Sequence, residues 1–197
     1  KALTTAQVKA LTTAQISTLT AAQIALMETT DIAALTAAQA EKLTTQAVAA
    51  LTTDQIKALS SAALNALTSD QIKAIEAEDV TAMTTEQVKN LSTTQVTRLT
   101  TEQMEALTTT QVQALTTLQV SVLTSLQINK RASDDLQALL TSQIRALTSE
   151  QINNISTEQI SNLSTSQVAA LSTARTSALT SSQIENMTSD QLGALNF

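Results

Sequence analysis

The 197-residue chain carries a formal net charge of −6, and its 11 basic residues are scattered along the sequence, which argues against a nucleic-acid-binding protein. It contains no Cys and no His, which excludes disulfides, thiolate or imidazole metal sites and His-based acid–base catalysis. A single aromatic residue, Phe197, a single Gly and no Pro argue against a core built on aromatic rings and against β-sandwiches, β-barrels and Gly-turned β-solenoids.

An eight-residue repeat runs from residue 3 to residue 194, in 24 consecutive octads without an insertion or a deletion. We number the positions of each octad from 0 to 7. Position 0 is aliphatic in every octad except the one that begins at Arg131. Position 1 is Ser or Thr in 20 octads, position 4 is Gln in 18, and position 5 is Val, Ile, Leu or Met in all but two. Because loops tolerate changes in length, so strict a frame indicates that every octad makes the same contacts with its neighbours.

The first octad shows the helix-start signal that the repeat carries. With Thr4 as N-cap, Gln7 takes the N3 position of a capping box, and Leu3 and Val8 form a hydrophobic staple. Acidic residues favour position 3, in the first helical turn, and basic residues favour positions 6 and 7, in the last turn, as the helix dipole prefers. Each octad therefore predicts one helix of about six residues, roughly 9 Å long.

One continuous amphipathic helix is the alternative, but its geometry does not fit the repeat. At about 100° per residue, each octad leaves about 80° of drift, so no single face stays apolar. The octads therefore predict an all-α solenoid, a superhelix of short capped helices stabilised by the stacking of its turns. We expect positions 0 and 5 to point inward, with the Thr, Gln and charged positions outside. The overlong repeat favours right-handed winding, and no second period indicates the number of octads per turn.

The tenth octad contains an acidic cluster of Glu76, Glu78 and Asp79. Such a cluster could bind Ca²⁺, but it lacks the D-x-D-x-D-G spacing of a calcium-binding loop. Acidic residues at the start of a helix are the simpler interpretation, since they are stabilised by the helix dipole.

Leu118, Val122 and Leu126 are apolar residues at positions that are otherwise polar or small, and they are spaced by four. A cluster of this kind predicts either a docking patch for another chain or extra packing in the core.

The strongest departure from the repeat is the segment NKRASDDL, residues 129–136, where Arg131 replaces the leading Leu and Ala132 replaces the cap. In the following octad Leu140 takes the cap position, so that residues 131–146 are irregular. The segment predicts either a ligand, ion or partner site or a locally distorted octad with solvated charges.

Phrases such as ALTTAQVKALTTAQI and ALTTTQVQALTTLQV recur through all 24 octads. They resemble the tandem ALTTxQ(V/I) arrays of very long bacterial surface proteins, which are often labelled adhesion or haem-utilisation proteins. The resemblance implies an extracellular or cell-surface location. It carries no site residues, and it implies no haem site here because His is absent and the four Met residues all lie at staple positions.

These patterns predict a non-enzymatic stalk, spacer or fibre segment of a large bacterial surface or secreted protein. We expect residues 1–197 to form a single repeat array within a longer chain, with flanking domains or further copies as partners. No catalytic residue, metal ligand or cofactor is predicted, and no stretch approaches the roughly 20 apolar residues of a membrane span. Two other functions fit the repeat: binding of ice or polysaccharide through a regular Thr-rich face, and self-assembly into a filament or sheath.

Overall fold

The computed structural model describes residues 3–129 and 136–197, and the regular structure in these ranges consists of 23 α-helices of four to six residues. The chain divides into two compact units, Lys1–Leu107 and Thr108–Phe197, each of which is described by itself. The first unit contains α1 (Thr5–Ala10), α2 (Thr13–Ile16), α3 (Ala21–Ala25), α4 (Thr29–Ala33), α5 (Ala37–Glu41), α6 (Thr45–Ala49), α7 (Thr53–Ala58), α8 (Ser61–Ala66), α9 (Ser69–Ala74), α10 (Ala77–Ala82), α11 (Thr85–Asn90), α12 (Thr93–Arg98) and α13 (Thr101–Ala106). The second contains α14 (Thr109–Ala114), α15 (Thr117–Ser121), α16 (Ser125–Asn129), α17 (Thr141–Ile144), α18 (Ser149–Asn154), α19 (Thr157–Ser161), α20 (Thr165–Ala169), α21 (Thr173–Thr176), α22 (Ser181–Glu185) and α23 (Ser189–Gly193).

Most of these helices begin with the predicted capping box. In the first octad the Thr4 hydroxyl accepts a hydrogen bond from the Gln7 backbone N–H (3.3 Å), and Gln7 Oε1 accepts one from the Thr4 N–H (2.9 Å). These bonds satisfy two of the backbone groups that a helix start leaves unpaired. The prediction of one short helix per octad is confirmed in the described residues, and the side-chain cap bond is missing only at Glu28, Glu76, Leu140 and Ser172 among the caps described there.

The turn between successive helices uses two extended residues, at positions 0 and 1. Leu59, which ends α7, has φ −55° and ψ 131°, and Ser60, which caps α8, has φ −64° and ψ 148°. None of the described residues has a positive φ. Any L-residue adopts such angles without strain, with the exception of Pro where the backbone N–H has to donate a hydrogen bond. The array therefore turns repeatedly without Gly.

The helices stack on one another at a spacing of three octads. α5 packs against α8 in the first unit, and α18 packs against α21 in the second. Side-chain hydrogen bonds join residues 26 to 31 apart in the first unit and 25 to 31 apart in the second. Within each unit the chain therefore returns over its own path after three to four octads. This stacking confirms the predicted helical solenoid, while the right-handed winding and the single array over residues 1–197 stay predictions.

Positions 0 and 5 form the core, as the repeat predicts. In the middle of the first unit Ile56 and Leu59 are 0% and 3% exposed. The expectation that Gln lies outside was wrong, because the Gln side chains at position 4 are buried from the fifth octad onward in the described residues; Gln103, for example, is 1% exposed. Gln7, Gln15 and Gln23 are exposed, because the described chain has no octad 28 to 31 residues before them. Among the described helices, none is long and apolar enough to cross a membrane.

Candidate functional site

The buried glutamine at position 4 connects one turn of the stack to the turn before it. Gln39 Oε1 accepts hydrogen bonds from the Thr36 N–H (2.9 Å) and the Thr36 hydroxyl (3.1 Å), while Gln39 Nε2 donates to the carbonyls of Val8 (2.9 Å) and Leu11 (2.8 Å). The two oxygen lone pairs and both amide protons are therefore used, which is the full capacity of the group. We call this arrangement a glutamine bridge: one side chain that caps its own helix and binds the carbonyls at positions 5 and 0 of the preceding turn.

The bridge provides hydrogen-bond donors for the carbonyls that the end of every short helix leaves unpaired. A helix leaves its last carbonyls without intrahelical partners, and a carbonyl that is buried without a hydrogen bond is costly. Here the carbonyls at the end of one helix are paired by the amide that caps another, so each octad supplies the donors that its predecessors lack. Hydrogen bonds to both carbonyl positions define bridges at Gln39, Gln55, Gln71, Gln87, Gln95, Gln103, Gln143, Gln151, Gln167, Gln183 and Gln191. Gln159 donates to the position 5 carbonyl of Ile128 (3.1 Å).

Sequence reasoning missed the bridge because the capping box alone already accounts for a Gln at position 4. One signal could have revealed it. A capping box accepts Glu as readily as Gln, yet position 4 has 18 Gln, three Asp and no Glu. Since the two side chains differ in the amide donor, the exclusion of Glu indicates that this position must also donate.

Two octads replace the bridge with other contacts. Arg175 Nε donates to the Leu147 carbonyl (2.7 Å), and its Nη1 donates to Ser172 Oγ (3.0 Å), so a guanidinium takes over the link between turns. Asp79 has no proton to donate when ionised, and instead accepts a hydrogen bond from Thr53 Oγ1 (2.8 Å). Contact between turns is thus kept at both positions, with different chemistry.

The acidic cluster lies at the start of α10, as the helix-start interpretation predicts. Glu78 and Asp79 are in the first turn of the helix, and Glu76 is its N-cap residue but makes no side-chain cap bond. Glu76 and Glu78 are exposed, whereas Asp79 is buried. In residues 3–129 and 136–197, no group of three or more Asp or Glu side chains is placed to hold a metal ion.

The structure places the predicted patch residues on two helices and the turn between them. Leu118 lies in α15 and is 63% exposed, Leu126 lies in α16 and is 68% exposed, and the half-buried Val122 ends α15. The spacing of four therefore does not define one helical face, because the chain turns after Val122. The two leucines lie outside the core, and their role as a docking patch stays a prediction.

The irregular octads are described only in part. Arg131 and Ala132 lie outside the described residues, so the proposed ligand or partner site there stays a prediction. Leu140 is 46% exposed at its cap position, and Gln143 Oε1 still accepts a hydrogen bond from the Leu140 N–H (2.8 Å). Only the bond from the Leu140 N–H to the Gln143 side chain is present, since Leu has no hydroxyl to accept the reciprocal bond from the Gln143 N–H.

The hydroxyls at positions 1 and 2 differ in their availability. The Thr84 hydroxyl accepts the Gln87 N–H (3.1 Å), as most cap hydroxyls do, whereas the next residue, Thr85, lies exposed in the first turn of α11. A regular Thr-rich binding face would therefore consist mainly of the position 2 hydroxyls, and binding of ice or polysaccharide by them stays a prediction.

A protein-family model described as the ALTTAQ repeat matches residues 24–61, 72–109, 132–165 and 160–196, which together make up well over half of the chain. Three of these matches begin at a bridge acceptor and contain the glutamine that binds it. The pairs are Ile24 with Gln55, Ile72 with Gln103 and Ile160 with Gln191. The family repeat therefore spans a complete link between two turns. A comparison with curated proteins found no match.

Proposed function

Because the chain belongs to the ALTTAQ repeat family, we propose that it is a non-enzymatic stalk, spacer or fibre segment of a large bacterial cell-surface or secreted protein. Membership of a repeat family and the stack of equivalent helices support the structural part of this proposal. The surface location rests on the resemblance to ALTTxQ(V/I) arrays of bacterial surface proteins.

The glutamine bridge is the observation that carries the proposal. Each bridge joins one turn to the turn before it through the same donor and the same two carbonyl positions. An added octad therefore extends the stack without requiring a new kind of contact, and stability accumulates through neighbouring units. A segment built in this way suits a spacer, whose length can change while its construction does not.

Deletion of whole octads tests the proposal. Removing residues 83–90, or 83–98, leaves every remaining Gln at position 4 and every acceptor at positions 5 and 0. We expect the radius of gyration from small-angle X-ray scattering to fall in equal steps, with unchanged helical ellipticity per residue.

Deletion of residues 83–86, half an octad, is the matched control, because it breaks the frame and should lower ellipticity. The proposal would be contradicted if a specific ligand bound the intact chain and a single in-frame deletion abolished that binding.

Lateral self-assembly into a filament or sheath is a second candidate, favoured by the exposure of Leu118 and Leu126. Two large aliphatic side chains on neighbouring octads offer apolar area that a partner surface could cover. Self-association that disappears in a Leu118→Glu/Leu126→Glu variant is the result that would favour it.

A further inference from the structure

Within the 24 octads, asparagine occurs only at positions 6 and 7, where each short helix ends. An Asn at position 7 is followed by the aliphatic residue of position 0 and the hydroxyl residue of position 1, so it completes the tripeptide Asn-X-Ser/Thr. Four such tripeptides are present, at residues 90–92, 154–156, 162–164 and 186–188, and in none of them is X a Pro. Asn-X-Ser/Thr is the acceptor motif for N-linked glycosylation, which takes place on exposed segments.

The tripeptide at residues 154–156 lies in an exposed turn between two helices. Asn154 is the last residue of α18, Ser156 is the N-cap residue of α19, and Ile155 between them is extended, with φ −65° and ψ 137°. Asn154 and Ser156 are exposed, whereas Ile155 is buried in the core. This exposure belongs to the interior of the stack, because α18 packs against both α16 and α21.

Hydrogen bonding leaves the polar groups of this turn available to an enzyme. Asn154 Nδ2 donates to the Glu150 carbonyl of its own helix (2.8 Å), a bond that joins no turns of the stack. Ser156 Oγ accepts the Gln159 N–H (3.1 Å), and no described residue accepts a hydrogen bond from the Ser156 hydroxyl proton. The cap therefore uses the hydroxyl as an acceptor and leaves its donor free.

The other three tripeptides occupy the same positions of their octads. Asn90 and Asn186 are exposed, and Asn162 is half-buried. Asn90 Nδ2 donates to Glu86 Oε1 (2.8 Å), and Asn186 Nδ2 donates to the Ser182 carbonyl (2.8 Å), so both amides bond within their own octads. A group attached to either nitrogen replaces a local bond and removes no glutamine bridge.

We propose that these turns are N-glycosylation sites, with Asn154 as the best-presented acceptor. The co-reactant is a sugar activated as a nucleotide- or lipid-linked glycosyl phosphate. Nδ2 of Asn154 bonds to the anomeric carbon, the phosphate leaves with the electron pair of the broken C–O bond, and the transferase takes one amide proton. The inference rests on the proposed surface or secreted location, since N-linked sugars are a modification of such proteins.

Mass spectrometry of the full chain, isolated from the cells that produce it, tests the proposal. We expect a sugar on Asn154 in the wild type and complete loss of that sugar in Ser156→Asn, which removes the motif. Ser156→Thr is the matched control and should keep the sugar, because Thr retains the motif. Both variants fold, since Asn and Thr are N-cap residues like Ser. Asn153 is an internal control, because it is exposed but begins no motif.

Protease treatment of the intact cells reports the location of the chain independently. An unmodified Asn154 in a chain that the protease reaches overturns the inference and leaves the surface location standing. A sugar on Asn154 in a chain that the protease does not reach supports the inference and contradicts the location. A sugar that persists in Ser156→Asn, or that is attached to Asn153 instead, also overturns the inference.

Discussion

Gln103 illustrates, at the scale of a single residue, how strongly the stack depends on one amide. It is 1% exposed, and its Nε2 donates to the carbonyls of Ile72 (2.8 Å) and Ile75 (2.6 Å), while its Oε1 accepts the Thr100 N–H (2.9 Å). Because only the nitrogen can donate to two carbonyls and only the oxygen can accept an N–H, the orientation of the amide is determined by its partners.

Replacing Gln103 with Glu separates its two roles. The carboxylate still caps the helix but places a buried negative charge against two carbonyls, and we expect the free energy of unfolding to fall by about 3–5 kcal/mol. Urea denaturation followed by circular dichroism measures the change. Gln15→Glu is the control, with an expected change within about 0.5 kcal/mol, because that amide is exposed and makes no bridge. Equal losses from the two variants would show that the bridge contributes no stability.

Thr176 is a residue at which the stack is not optimised. It occupies position 5, which is aliphatic in all but two octads, and its buried hydroxyl has no hydrogen-bond partner. Thr176→Val removes this unpaired group with little change in shape, so we expect stabilisation of about 1–3 kcal/mol. Differential scanning calorimetry checks the prediction. The exposed neighbour Thr173 serves as the control, since Thr173→Val should give no stabilisation; an unchanged or lower Tm for Thr176→Val would contradict the expectation.

At the scale of the element, a helix of four to six residues is far below the length at which isolated helices form in water. Its stability must come from its caps and its neighbours. The caps act within three residues, as Thr4 and Gln7 show, and the neighbours act 25 to 31 residues away. The two kinds of contact are made by the same few positions, which explains why an octad tolerates so little variation at positions 0, 1, 4 and 5.

Leu140 offers a test of the caps. It lies at an N-cap position where Gln143 supplies its half of the capping box and the hydroxyl is missing. The Gln143 N–H donates to the Leu140 carbonyl (2.9 Å) instead. Leu140→Thr adds the hydroxyl acceptor that the other caps provide, so we expect stabilisation of about 1 kcal/mol. The reverse change, Thr148→Leu, removes an existing bond from the Gln151 N–H (3.1 Å) and should cost a similar amount. Thermal unfolding of both variants provides the measurement, and stability changes of the same sign would refute the interpretation.

The sequence predicts the octad well and its stacking only in outline. Thr4 and Gln7 bond to each other across three residues, so their pairing can be inferred from spacing alone. The partners of Gln39 lie 28 to 31 residues earlier, and a strict period of eight makes every multiple of eight equally plausible. Nothing in the repeat therefore indicates which earlier octad lies beneath a given glutamine. For the same reason the burial of that glutamine was not anticipated.

At the scale of the whole molecule, every bridge points the same way along the chain. The donor always belongs to the later octad and the carbonyls to the earlier one, as in Gln55 with Ile24 and Gln183 with Ile152. Each unit is therefore polar, because amides of its later octads donate to carbonyls of its earlier octads. An octad added after a unit brings a glutamine amide for carbonyls that are already present. An octad added before it brings carbonyls for glutamine amides that are already present.

This polarity has a consequence for synthesis on the ribosome, where the N-terminus emerges first. Each newly exposed octad brings an amide whose acceptors left the exit tunnel 28 to 31 residues earlier. Nascent octads that carry the glutamine can therefore dock one at a time onto turns that have already been translated.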